Sequence, residues 1–126
     1  MNSPVQDTCC SLHPYFKIKE GCKDKFLEIV GNFCELVKNE KGCVHYGFSF
    51  CGEDEAHCRE MYQNGEALLA HLKNVGVPLG EALENASLER LEFHGTQADW
   101  DICKEALVPL GTKAFILDSR GLRPNK

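Results

Sequence analysis

Over residues 24–50 the hydrophobic period of the chain changes abruptly, and that change limits what it can fold into. From residue 24 to 39, Phe26, Ile29, Val30, Phe33, Cys34 and Val37 recur at three- and four-residue intervals with charges between them. That spacing predicts an amphipathic helix, and Gly42 suits its end. From residue 43 to 50 the period becomes two. Val44, Tyr46, Phe48 and Phe50 alternate with Cys43, His45, Gly47 and Ser49, the mark of a strand with two unlike faces.

The same reading extends along the chain. Residues 13–19 predict a first strand, with Phe16 and Ile18 on one face, broken at Gly21. After the acidic turn at 52–55, residues 57–63 predict a strand that pairs with 43–50 as a hairpin. Asn64 is a natural N-cap for a helix over 65–73, which residues 75–78 interrupt. Pro78 suits the first position of a second short helix over 79–85. Residues 88–94 predict a fourth strand, with Leu91 and Phe93 opposite Arg90, Glu92 and His94. Thr96 and Asp99 resemble a capping box opening a helix to Leu107, with Trp100, Cys103 and Leu107 on one stripe. Pro109 and Gly111 end it, and residues 114–117 predict a short fifth strand before a polar, basic tail.

The first six elements follow the split βαβ order, βαββαβ, so the expected fold is α+β and ferredoxin-like, with a four-stranded antiparallel sheet and helices on one face. The other face is expected to carry Tyr and Phe, with nothing in the chain to cover it. A second copy packed sheet to sheet would cover it, which predicts a homodimer. The fifth strand is then available to pair with the partner's sheet edge. We divide the chain into a flexible lead (1–12), the ferredoxin-like domain (13–95) and a helix–strand extension of that domain (96–126).

Composition removes several function classes. With 14 basic and 19 acidic residues and a net charge of −5, the chain lacks the basic footprint of a nucleic-acid binder. No apolar run is long enough to span a bilayer, and the first residues do not read as a signal peptide, so a cytoplasmic location is expected. Eight cysteines in 126 residues are then expected as reduced thiols. Cys34 and Cys103 fall on predicted apolar helix faces and Cys9–Cys10 on an exposed lead.

Candidate chemistry gathers around residues 59–74. Glu60 and Tyr62 share one face of a strand, and the next helix carries His71 beside its apolar stripe. His71 has the ordinary pKa of a general base, with Glu60 to orient it. The bland alternative is a hydrogen bond between the two that locks strand to helix. Tyr62 reads as a ring contact or a core wall, and Asn64 as a cap or a substrate ligand. Tyr46 and His45 lie on opposite faces of one strand, so at most one lines a given cavity. His94 ends the fourth strand and is expected to face His45 or its copy. His45, His57 and His94 show no metal-ligand spacing, so no metal is expected, and no phosphate loop or nucleophile elbow occurs.

Two blocks carry a resemblance. Glu40-Lys41-Gly42-Cys43-Val44-His45-Tyr46 and Glu60-Met61-Tyr62-Gln63-Asn64-Gly65-Glu66-Ala67-Leu68-Leu69-Ala70-His71 are similar to the two motifs of the antibiotic biosynthesis monooxygenase family of dimeric α+β barrels. The resemblance covers about residues 13–95. It implies a cofactor-free monooxygenase or oxidoreductase acting on a small aromatic or quinol-like compound, with His71 as base. It leaves open a non-catalytic dimer that binds a small apolar molecule or serves in stress, and a cofactor-free isomerase or cyclase. The haem-degrading branch places a ligand His on the next helix. Residues 79–84 hold none, which argues against haem.

Overall fold

In the computed structural model, which describes residues 5–124, the elements run β1 (Val5–Gln6), β2 (Cys10–Ile18), α1 (Lys23–Val37), β3 (Cys43–Cys51), β4 (Glu55–Tyr62), α2 (Gly65–Asn74), α3 (Gly76–Asn85), β5 (Ala86–Gly95), α4 (Gln97–Leu107), β6 (Lys113–Ile116) and β7 (Leu122–Arg123). The main sheet has the order β3-β4-β2-β5-β6. Its first four strands are antiparallel and reproduce the ferredoxin-like arrangement. The extension adds a fifth strand. β6 pairs in parallel with β5 of the same chain, because α4 serves as the crossover a parallel neighbour requires.

Helices cover one face of the sheet. Phe16, Phe26, Ile29, Phe33 and Ala56 form one buried cluster beneath α1 and α3. Leu12, Tyr62, Leu68, Phe93, Cys103 and Leu107 form a second beneath α2 and α4. Each fully buried large side chain stabilises the fold by roughly 1.5–3 kcal/mol. Phe26 stands edge-on to both Phe16 and Phe48, so the aromatics of β3 face the helices. That corrects the expectation of Tyr and Phe on the uncovered side. The uncovered face instead presents His13, His57, His94, Arg59, Arg90 and Glu92, with Tyr15, Met61 and Phe115 partly exposed among them.

Other expectations shift at element ends. Residues 10–12, assigned to the lead, begin β2, and Val5–Gln6 pairs with Leu122–Arg123; residues 1–4 lie outside the described residues. The register slips between Cys43 and His45, a bulge that turns Val44 out to 52% exposure and breaks its predicted company with Tyr46. Pro78 is the third residue of α3, still in the first turn, where its missing N–H has no helical partner to lose. Cys34 is exposed and Cys10 buried, the reverse of the expectation, and all eight thiols are free.

Asp99 ties the start of the extension to the start of α2. Thr96 Oγ1 accepts from the Asp99 N–H at 3.1 Å, but the Asp99 carboxylate does not return the bond as a capping box would. It accepts from the Gly65 N–H at 2.9 Å, while Asn64 Oδ1 accepts from the Ala67 N–H at 2.9 Å. Two side chains from different elements therefore satisfy the first turn of α2.

Candidate active site

The two buried clusters meet over β2, β3 and β4, and a cavity of about 50 Å³ lies at their junction, lined by Phe33, Tyr46, Phe48, Glu60, His71 and Leu110 among others. Apart from Glu60, His71 and the Tyr46 hydroxyl, its walls are aliphatic and aromatic. A larger groove of about 550 Å³ runs along Tyr15, Phe50, Cys51 and His57. It is an open trough with no converging acid–base pair, so the smaller cavity is the candidate site.

Period-two alternation along β4 turns Ala56, Cys58, Glu60 and Tyr62 inward together. Glu60 is thereby committed to the interior, 4% exposed. The Tyr62 hydroxyl donates to Glu60 Oε1 at 2.6 Å. Across the cavity, α2 presents His71, 2% exposed, with Nε2 3.3 Å from the same Glu60 Oε1. The other ring nitrogen is also occupied. Nδ1 lies 2.9 and 3.1 Å from the two carboxylate oxygens of Glu40. Asn74, one turn on from His71, donates to Glu40 Oε2 at 2.8 Å and to the Leu36 carbonyl at 3.1 Å. The Tyr46 and Tyr62 rings flank the imidazole at 5.3 and 5.0 Å.

Burial dominates the electrostatics. It pushes the Glu60 carboxyl from 4.5 up to about 8, hydrogen bonds from Tyr62 and Cys58 pull it down, and the charge of Glu40 raises it. Burial lowers the pKa of His71, against the pull of Glu40. Burial therefore favours the protonated form of Glu60 and the neutral form of His71. Cys43 and Cys103 are poor nucleophiles, because burial pushes their thiols up to about 11.

The sequence-derived candidates separate in space. Glu60, His71 and Tyr46 line the cavity. Tyr62 is fully buried behind Glu60. Asn64 caps α2. His45 is exposed on β3, and His94 lies on the far sheet face against Glu92 at 2.9 Å, with Phe115 stacked on it at 4.8 Å. His94 meets His13 rather than His45. Among the described residues no three His, Cys, Asp or Glu side chains converge as a metal site. The sequence reading overlooked Glu40 and Asn74 as site residues. Glu40 stood first in a quoted motif, but its partner is 31 positions away.

Gly42 explains that motif. Helix α1 ends at Val37, too early for Gly42 to cap it. Gly42 is needed because a Cβ there would lie 2.4 Å from the Ala67 Cβ of α2. The segment carrying Glu40 can approach the helix carrying His71 only if one of them is bare backbone. Gly42→Ala is expected to cost about 1–3 kcal/mol through overpacking and to loosen the Glu40–His71 bond. A thermal melt checks it, and an unchanged Tm would contradict the close approach.

Residues 11–77 match the antibiotic biosynthesis monooxygenase family. No curated protein matches the chain. Among solved structures, MupZ from Pseudomonas fluorescens is similar at 36% identity and a TM-score of 0.85, over 93% of this chain and 96% of that one. A conserved protein of unknown function from Bacteroides thetaiotaomicron, described as a possible oxidoreductase, is 25% identical with a TM-score of 0.62, over 69% and 96%. Rv0793 from Mycobacterium tuberculosis shares the fold at 15% identity and a TM-score of 0.61, over 68% and 92%.

Proposed function

The chain belongs to the antibiotic biosynthesis monooxygenase family, and from that premise we propose that it is a cofactor-independent monooxygenase acting on a small aromatic or quinol-like compound. The observation that carries this reading is the contact between Glu60 and His71 at 3.3 Å in an otherwise apolar cavity. A phenol or activated methylene must lose a proton before it gives electrons readily to oxygen. An apolar-walled pocket holding one proton-exchanging pair suits that step. The substrate anion passes electrons to O₂. For an activated methylene, one oxygen atom is retained as a carbonyl and the other leaves as water. Tyr46 supplies a ring for stacking at the cavity wall, and Leu110 brings the extension to the same wall.

The protein acts as a homodimer in this reading, with the His-rich sheet face covered by a second copy, and it works in the cytoplasm. Oxygen uptake with a panel of phenols, quinols and fused-ring aromatics tests the function. Turnover that stops without O₂ is expected, and turnover that continues anaerobically would instead identify an isomerase or cyclase. One observation favours a carrier as the second reading. Glu60, His71, Tyr62 and Glu40 satisfy one another. Tight binding of the same panel without any turnover would decide for that reading.

A further inference from the structure

We infer that Glu60, rather than His71, is the group that meets the substrate, and that Glu40 is a positioning residue that makes His71 a proton store behind it. The inference rests on the acid–base reading of the cavity given above. Its geometric basis is that neither nitrogen of His71 is free. Nδ1 faces both oxygens of Glu40 at 2.9 and 3.1 Å, and Nε2 faces Glu60 Oε1 at 3.3 Å. A carboxylate only accepts. Glu40, held by Asn74 at 2.8 Å, therefore keeps the imidazole proton on Nδ1. Nε2 is then a bare acceptor, and its contact with Glu60 is a hydrogen bond only when Glu60 supplies the proton.

The pair thus shares one mobile proton along the Glu60–His71 contact. Tyr62 and His71 both approach Oε1 of Glu60, so we assign Oε2 to the substrate, in competition with the weak thiol donor Cys58 that also bonds this carboxyl. When a substrate O–H or C–H bond breaks, its proton forms a new O–H bond on Oε2. The Oε1 proton passes to His71 Nε2, and the imidazolium sits against Glu40. Return of that proton through Glu60 to the departing oxygen restores the starting state, so no external acid or base is consumed. The ionisable groups set against His71 from the packed elements are Glu40 before β3, Tyr46 on β3, and Glu60 and Tyr62 on β4. Among these, Glu40 is the group whose charge supports an imidazolium at Nδ1.

The test is ¹⁵N NMR of the histidine rings in the full-length protein, with Glu40→Gln and Glu40→Asp beside the wild type. In the wild type, His71 is expected to show a protonated Nδ1 and an unprotonated Nε2 at pH 7. Glu40→Gln is expected to mix the two tautomers and to move formation of the imidazolium at least one pH unit downward; Glu40→Asp is expected to restore most of the wild-type signature. A protonated Nε2 in the wild type overturns the inference. So does a Glu40→Gln spectrum with unchanged tautomer and titration, since a merely structural Glu40 would lower stability and leave both alone. The spectra need no substrate. If they behave as expected and no compound supports oxygen uptake, the monooxygenase reading fails while the positioning role stands. Where a substrate is in hand, Glu40→Gln is expected to lower kcat at least tenfold and leave KM within twofold.

Discussion

Glu60→Gln is expected to remove most turnover and, in the same protein, to raise stability in alkaline solution. Glutamine can accept from Tyr62 and donate to His71, so the buried geometry survives. It cannot release a proton, and losing a positioned acid–base group slows a reaction by roughly 10²–10⁴-fold. The stability effect follows from burial. The carboxyl titrates near 4.5 when exposed and at about 8 in the fold, so between those values the folded state holds a proton that the unfolded state has lost. Stability from this group is complete below pH 4.5 and falls by about 1.4 kcal/mol per pH unit until it levels off above pH 8. Removing the carboxyl removes that slope. Thermal melts of wild type and variant from pH 5 to 9 should therefore diverge as pH rises, with the variant the more stable at pH 9. Parallel curves would mean that Glu60 is ionised in the fold.

His71→Ala is the second large expected effect, and it strikes stability as hard as chemistry. The ring is 2% exposed and touches two carboxyl groups from different parts of the chain. Truncation leaves a void, strips Glu40 and Glu60 of a shared partner, and lets them face each other. Removing one member of a buried polar network costs on the order of 3 kcal/mol, a sizeable share of the roughly 5–15 kcal/mol typical of a domain. The bond from Nδ1 to Glu40 is lost at pH 6 and at pH 9 alike. Urea unfolding at the two pH values measures this. A loss below about 1 kcal/mol at both would show that His71 is not the hub of the network. Turnover is expected to vanish in His71→Ala, but the folded fraction must be matched to wild type before the rates are compared.

Much of the fold could be read from periods. The helix over 24–39 and the strand over 43–50 are local signals, and each found its element within two residues. Glu60 and His71 were legible as a pair because β4 and α2 are adjacent in sequence, so the turn between them limits where each side chain can go. Glu40 was not legible in that way. It lies beyond the end of α1 and reaches His71 only because Gly42 lets that segment close on Ala67. Likewise Asp99 matched a local cap pattern, yet its carboxylate serves a helix 34 positions earlier.

By itself the sequence determined the order and type of the elements from β2 to β6, the antiparallel ferredoxin-like core, and which residues of β4 share a face with Glu60. These follow from hydrophobic periods of two and 3.6, which any segment expresses alone. Tertiary structure alone decided that the aromatics of β3 face the helices, that His94 meets His13 across the far face, and that β6 closes the edge of its own sheet. It also decided that His71 is held between two carboxyl groups. Those outcomes depend on side chains far apart in sequence competing for the same buried space, and a one-dimensional pattern carries no record of which pairs meet.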